Sequence, residues 1–373
     1  MTAHLPSAEA SAMLTRTLRR VHRAASDLRR GVPVLLEGES PLLLLAAETA
    51  GVDSLTEFAA LGSDTPVILF AAVRGAAVLR RPADTENDVV AALLPDALAN
   101  PEALRGLADP TGKQPATVGM EPTDPPPGAP AAIALAKLGR LLPAVLAVRP
   151  VADVHLADRA LIGIRPEDVL GYPAMEGAGL RIVAAAPVPL VDAPDSRVVA
   201  YRAEGSAIEH LAIVIGRPET AKAPLVRIHS ECFTGDLLGS MRCDCGEQLR
   251  GAIHRIAEHG AGVVLYLAQE GRGIGLVNKL RAYTLQDRGL DTMDANRVLG
   301  WAADERNFLV GANMLLALGI TKVTLLTNNP DKIAGLVACG IEVLGREAHA
   351  FAPNDVNGAY LATKAVRFGH MLD

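Results

Sequence analysis

Val263-Val-Leu-Tyr-Leu267-Ala-Gln-Glu-Gly-Arg-Gly-Ile-Gly275-Leu-Val-Asn-Lys-Leu-Arg-Ala-Tyr-Thr-Leu-Gln286 opens on five apolar residues, crosses three closely spaced glycines and continues with apolar positions at helical spacing. That order describes a strand, a tight turn and a helix. The alternation returns downstream, where residues 323–326 read as a strand and residues 333–339 as a helix. Strands alternating with helices predict an α/β (α+β) fold, with a mixed β-sheet core and surrounding helices.

At 373 residues the chain exceeds one ordinary core, so two domains of this kind are expected. In the first half, residues 14–30 carry Leu, Val and Ala at helical spacing and stop at Gly31, as a helix does. Residues 34–36, 42–45 and 144–148 read as buried strands, and residues 131–142 as a helix. Seven prolines between Asp109 and Pro130 predict a long irregular surface loop. Gly171, Pro173, Gly177 and Gly179 predict a linker over 173–179, between a first domain at 1–172 and a second at 180–373. No fixed-period repeat marks a solenoid.

Composition narrows the function. Lys and Arg number 36 against 42 Asp and Glu, a formal charge of -6, so no overall basic field exists to hold nucleic acid. A polyanionic ligand requires a local basic pocket instead. No run of about 18 apolar residues and no apolar stretch behind basic residues at the start points to a membrane or to export, and a soluble cytoplasmic protein is expected.

Four cysteines occur, and three crowd into Cys232-Phe-Thr-Gly-Asp-Leu-Leu-Gly-Ser-Met-Arg-Cys243-Asp-Cys245. In a large chain this clustering argues for a metal over a disulfide framework. Zinc takes soft sulfur ligands in a tetrahedron, and three protein ligands with one water is a catalytic arrangement. The alternatives are a redox pair at Cys243 and Cys245, or three core thiols. Cys339, at a helix end, reads as a small buried hydrophobe. His229, taken alone, reads as a hydrogen-bonded structural residue. The glycines of Gln269-Glu-Gly-Arg-Gly-Ile-Gly275 let backbone amides approach an anion, or simply make a tight turn. Asp291-Thr292, Asp304-Glu-Arg306 and Thr327-Asn-Asn-Pro-Asp-Lys332 add polar groups near predicted element ends, where Thr327 and Asn328 also suit a helix cap.

Residues 180–373 resemble GTP cyclohydrolase II. The resemblance rests on Arg227-Ile-His-Ser-Glu-Cys232-Phe-Thr-Gly-Asp, Met241-Arg-Cys243-Asp-Cys245-Gly, Gln269-Glu-Gly-Arg-Gly-Ile-Gly275-Leu and Asp304-Glu-Arg306. It continues through Thr327-Asn-Asn-Pro, Tyr360-Leu-Ala-Thr-Lys364 and Gly369-His370. It implies that Cys232, Cys243 and Cys245 hold one zinc ion per catalytic domain, with water at the open position. It also implies GTP as substrate, contacted by Arg227, Ile228, His229, Ser230, Glu231, Gln248, Glu270, Gly271, Arg272, Thr292, Thr327 and Lys332.

By the same resemblance, hydroxide generated on zinc attacks C8 of the purine and opens the imidazole ring, and a second attack releases formate. Glu270 is suited to accept from the N1 and N2 hydrogens of guanine. Tyr283 matches a tyrosine near the reacting base. Asp304 corresponds to a proton acceptor, and Arg306 to a nucleophile toward the α-phosphorus, although a phosphate clamp is the simpler role for a guanidinium. Magnesium accompanies the triphosphate. The products are formate, pyrophosphate and a diaminopyrimidinone ribosylamine phosphate, at the first step of riboflavin biosynthesis. The family is often dimeric, so a homodimer is expected. The competing readings are a variant that stops at the formamidopyrimidine and a non-catalytic zinc and nucleotide-binding regulator.

Residues 23–172 resemble 3,4-dihydroxy-2-butanone 4-phosphate synthase at Leu28-Arg-Arg-Gly-Val-Pro-Val-Leu and Leu135-Ala-Lys-Leu-Gly-Arg-Leu-Leu-Pro-Ala-Val. Where that synthase needs an acid-rich loop for magnesium, this chain has Glu37-Gly-Glu-Ser-Pro-Leu-Leu-Leu-Leu. Leucines hold no hard cation, so a degenerate, non-catalytic first domain is expected.

Overall fold

The computed structural model describes residues 8–82, 89–152, 161–349 and 351. The matched segments at Tyr360 to Lys364 and at Gly369 and His370 lie outside the described residues. Two compact units form, one from Met1–Tyr172 with Val277–Asp304, the other from Pro173–Leu276 with Glu305–Asp373. Each is built on a seven-stranded mixed sheet. Among the described residues, no helix is long and apolar enough to cross a membrane.

The first unit contains β1 (Val34–Leu36), β2 (Leu42–Ala46), β3 (Val67–Ala71), β4 (Val89–Leu93), β5 (Pro122–Thr123), β6 (Ala144–Val148) and β7 (Gly163–Ile164). Their order across the sheet is β5-β4-β3-β6-β2-β1-β7. Neighbours run antiparallel except β1 and β7. β2 and β6 lie side by side near the centre and are buried at every residue, which is why they read as unbroken apolar runs. The proline-rich stretch is irregular as expected except at Pro122 and Thr123, which pair with Ala92 and Ala91. β5 is an edge strand, where the missing N–H of proline leaves no ladder bond unmade.

The second unit contains β8 (Leu180–Pro187), β9 (Arg197–Ala203), β10 (Glu209–Ile215), β11 (Leu225–Ser230), β12 (Gly262–Leu267), β13 (Lys322–Leu326) and β14 (Glu342–Glu347). The order is β14-β13-β11-β12-β10-β9-β8. From β14 to β12 the strands are parallel, and from β12 to β8 antiparallel. Helices Phe308–Ala317 and Pro330–Ala338 cover one face through Val310, Met314, Leu315 and Leu336, packed with Ile228, Val263 and Leu265. Helix Cys245–His259 covers the other through Ala252 and Ile256, against Leu225, Val264 and Leu326. Parallel strands with helices on both faces are the expected alternation.

Two boundaries differ from the sequence reading. Residues 173–179, read as an irregular linker, are helical: Tyr172–Ala178 is a helix, and Gly179 N donates to Met175 O at 3.0 Å. Proline is compatible with a first helical turn, and Gly177 is small because a Cβ there would lie 2.9 Å from the Leu309 side chain. The second difference is Val277–Asp304, which folds with the first unit although it lies far along the second half of the sequence.

β12 begins where helix Cys245–His259 crosses the sheet. A Cβ on Gly262 would stand 2.1 Å from Leu225 O and 2.7 Å from Ile256 Cγ2. A Cβ on Gly345, in β14, would meet nothing nearer than 3.8 Å. Gly262→Ala is therefore expected to destabilise the protein by about 1–3 kcal/mol through overpacking. Gly345→Ala should stay within about 0.5 kcal/mol of the parent in thermal denaturation.

Candidate metal centre and its polar surround

β13, β11 and β12 are parallel neighbours, so their carboxyl ends lie along one edge of the sheet. Open α/β sheets place ligands at this edge. Here β11 runs into Glu231 and Cys232, β12 into the glycine turn at 269–275, and β13 into Thr327, Asn328 and Asn329. Glu231 N donates to Leu267 O at 2.8 Å, carrying the β11–β12 pairing up to the first cysteine.

After Cys232 the chain makes one wide turn, Phe233–Leu237, and the next helix starts at Cys245. This folds Cys232, Cys243 and Cys245 together, with their sulfur atoms within 4.8 Å of one another and Cys232 Sγ 3.8 Å from Cys243 Sγ. Tetrahedral zinc with bonds of about 2.3 Å needs sulfurs roughly 3.8 Å apart, so the spacing fits that ion. Gly235 forms the floor. A Cβ there would stand 2.7 Å from Cys243 Sγ, 2.9 Å from Cys245 Cβ and 3.0 Å from Cys232 Sγ, and its own N–H donates to Cys232 Sγ at 3.3 Å. Hydrogen bonding to Cys232 holds the Cys243 and Cys245 thiols above the usual thiol range, and burial adds to it. Three sulfurs so crowded favour their thiolate forms only beside a cation. Cys339 stands apart, half-buried rather than buried, at the end of helix Pro330–Ala338.

Asp236 braces the turn, and nothing in the sequence reading singled it out beyond its place in a quoted motif. Its Oδ2 accepts from Cys232 N at 2.9 Å and from the Tyr266 hydroxyl at 3.0 Å, while Oδ1 lies 3.1 Å from His229 Nε2. His229 stacks on Tyr266 with ring centroids 5.7 Å apart. Burial pushes His229 below the usual imidazole range, ahead of the opposing pull of Asp236. The histidine therefore serves the carboxylate that positions the cysteine loop.

Glu270 joins the cysteine loop to the glycine turn. It is buried, with Oε2 accepting from Phe233 N at 2.7 Å and Oε1 from Gly271 N at 2.9 Å. The turn that follows takes left-handed backbone at Gly271 (φ 63°), Arg272 (φ 63°), Gly273 (φ 98°) and Gly275 (φ 85°). Three of the four are glycines for that reason, and Arg272 carries the cost of a side chain there. Glu305 N donates to Arg272 O at 3.0 Å, which brings the Glu305-Arg306 segment against the turn.

A local cationic cluster exists although the protein is acidic. Arg227 is buried on β11, donating from Nη1 to Leu326 O at 2.9 Å and from Nη2 to Gln248 Oε1, while Gln248 donates to Asp244. Burial lowers the Arg227 pKa to about 10, Asp244 opposes this, and repulsion from Arg306 lowers it further. Lys332, also buried, donates from Nζ to Ile228 O at 2.7 Å. Ile228 itself turns its side chain into the core and offers only its backbone. Among the described residues, the buried atoms Arg227 Nε, Ser230 Oγ and Gln269 Oε1 have no hydrogen-bond partner. Buried polar atoms left so point to a bound polar ligand or water.

At the end of β13, Thr327 is buried and its Oγ1 accepts from Asn329 N at 3.1 Å, while Asn329 caps the following helix through Asp331 N. Asn328 exchanges two bonds with the His349 backbone, and His349 Nε2 lies 2.8 Å from Gln248 O. Burial lowers His349 to about 4. Asp236 lies in a quoted motif that assigns it no role, and His349 carries no sequence signal, because each acts through folding contacts. Arg227, Ile228, His229, Ser230, Glu231, Gln248, Glu270, Gly271, Arg272, Arg306, Thr327 and Lys332 thus share the second unit with the cysteines, whereas Tyr283, Thr292 and Asp304 belong to the first. Thr292 opens helix Thr292–Val298 and its hydroxyl accepts from Gln286 at 3.3 Å.

Known proteins are similar to this chain. The family model described as GTP cyclohydrolase II matches residues 172–348. A GTP cyclohydrolase-2 of Pasteurella multocida is 51% identical over 177 residues, 47% of this chain and 81% of that protein. The riboflavin biosynthesis protein RibBA of Parabacteroides distasonis is 50% identical over 176 residues, 47% of this chain and 44% of that protein. A GTP cyclohydrolase-2 of Azospirillum brasilense is 46% identical over 366 residues, spanning 95% of this chain and 94% of its own length. Similarity of that depth through both halves, on a cysteine cradle at the edge of a parallel sheet, makes this chain a member of the GTP cyclohydrolase II family.

Proposed function

We propose that the chain hydrolyses GTP to formate, pyrophosphate and a diaminopyrimidinone ribosylamine phosphate, the opening step of riboflavin biosynthesis, with zinc held by Cys232, Cys243 and Cys245. The observation that carries the reading is the three-sulfur cradle around Gly235, whose spacing suits one zinc ion and which no fourth His, Cys, Asp or Glu joins among the described residues. Zinc so held supplies Lewis acidity and water acidified toward neutral pH.

The residues around it do the rest. Asp236 holds the Cys232 backbone and so orients the thiolate. Glu270 accepts one backbone N–H on each oxygen, and since a carboxylate oxygen accepts more than one bond, the same group can read the N1 and N2 hydrogens of guanine. Adenine would leave that buried acceptor unmatched, which penalises it. Arg227, Arg272, Lys332 and Arg306 supply positive charge for the triphosphate, which enters with magnesium. Arg306, its guanidinium 5.2 Å from the Phe308 ring centroid, suits a phosphate clamp, since a guanidinium stays protonated. Asp304 is the proton acceptor and Tyr283 orients water or relays a proton at the reacting base. Thr292 and Thr327 complete the nucleotide contacts.

The first unit we read as a degenerate 3,4-dihydroxy-2-butanone 4-phosphate synthase. Glu37 is paired to Arg20 at 3.1 Å, and Leu42 to Leu45 are buried in β2, so the segment offers no acid-rich loop for a divalent cation.

Three outcomes are expected. Cys243→Ser should lose stoichiometric zinc and formate release together, measured by elemental analysis and a formate assay, and formate production without bound zinc would overturn the metal assignment. Gly235→Ala should weaken zinc binding by roughly tenfold or more, because its methyl group displaces two sulfurs; a chelator competition titration reads this directly. With ribulose 5-phosphate and magnesium, the protein should form no butanone phosphate, and robust turnover would refute the degenerate reading of the first unit.

A further inference from the structure

Beyond β14, His349 and Phe351 pack on helix Cys245–His259 of the same unit. Asn328, at the end of β13, fixes the backbone there: its Nδ2 donates to His349 O at 2.8 Å, and its Oδ1 accepts from His349 N at 2.9 Å. His349 Nε2 lies 2.8 Å from Gln248 O, and since a carbonyl only accepts, that nitrogen carries the proton and donates. The His349 ring meets Phe351 edge to face, with centroids 4.9 Å apart. Both rings lie against Gly251, where a Cβ would stand 2.4 Å from Phe351 Cζ and 3.4 Å from His349 Cε1. One turn further along the helix, Arg255 pairs with Glu347 at 3.0 Å.

Gln248, the residue so held, stands between two ions. Its Oε1 accepts from Arg227 Nη2 and its Nε2 donates to Asp244. Arg227 commits Nη1 to Leu326 O at 2.9 Å, so both terminal nitrogens are anchored, while the buried Nε has no hydrogen-bond partner among the described residues. Ser230 Oγ, at the end of β11, and Gln269 Oε1, just past β12, are buried in the same condition. A guanidinium fixed at two nitrogens and open at the third is built to meet a ligand oxygen from one direction. Burial, with repulsion from Arg227, lowers His349 to about 4, so near neutral pH it donates without adding a second positive charge beside Arg227.

We propose that Asn328 and His349 form a latch on the Gln248 turn, and that the latch holds Arg227 with its Nε–H aimed at an oxygen of the bound nucleotide. The inference rests on the reading of this sheet edge as the GTP site. Asn328 and His349 are positioning residues, since they act through Gln248. Opening the latch loosens one of the two anchors of Arg227. A contact that Arg227 makes equally with substrate and transition state is felt in KM and leaves kcat alone.

The test uses the full-length, zinc-loaded protein and steady-state kinetics with GTP. His349→Leu keeps apolar contact with Phe351 and Gly251 but removes the donor. It should raise KM about three- to tenfold, with kcat within about twofold of the parent and zinc content unchanged. His349→Gln, which returns an N–H donor, should bring KM back to within about twofold of the parent. In an Arg227→Lys background, whose ammonium has no fork, His349→Leu should raise KM by less than about twofold more, because the latch acts through the guanidinium. Amide hydrogen exchange over residues 245–251 should quicken at least about fivefold in His349→Leu and recover in His349→Gln. A parental KM in His349→Leu, equal KM in the Leu and Gln variants, or full additivity with Arg227→Lys overturns the proposal. If the parent protein consumes no GTP, the functional reading fails by itself, and exchange over residues 245–251 still decides whether His349 holds the helix.

Discussion

Three sulfur atoms have to converge on one point, and the second unit is arranged so that they can. Convergence requires a floor without a side chain, which Gly235 provides, and a backbone that turns back sharply after Cys232, which the wide turn 233–237 provides. Neither would hold its shape unaided. Asp236 ties the turn to His229 on β11 and Tyr266 on β12, so the cysteine loop takes its geometry from the sheet beneath it. The rigidity of the cradle is thus borrowed from two neighbouring parallel strands paired in register over six residue pairs.

The same sheet edge resolves a conflict of charge. A protein of net charge -6 repels a triphosphate at long range, yet Arg227, Arg306 and Lys332 gather where three parallel strands end. Burying cations is costly unless each is bonded. Arg227 meets that cost with Leu326 O and Gln248, and Lys332 with Ile228 O, so carbonyls at strand ends keep the charges in place. The depressed pKa of Arg227, near 10, still leaves it cationic at neutral pH.

The two halves of the chain are less separate than their order suggests. Val277–Asp304 leaves the second unit after the glycine turn and joins the first, where Arg281 meets Glu48 and Asp109. The Azospirillum relative is similar over 95% of this chain and 94% of its own length.

Local pattern determined a good deal. The unbroken apolar runs of β2, β6 and β12 announced buried strands because a strand covered on both faces has no polar side to show. The clustered cysteines announced a group that could hold a metal, because three thiols within fourteen positions can converge on one ion. Tertiary structure alone decided the rest. The role of Asp236, the link from Asn328 through His349 to Gln248, and the meeting of Arg281 with Glu48 rest on side-chain contacts that no motif or periodicity spells out. The helix at Tyr172–Ala178 replaced an expected linker because packing of Gly177 on Leu309 outweighs the local preference of glycine and proline for loops. Periodicity reports what one segment prefers, whereas these features depend on which segments meet, and that is set by the folding of both sheets.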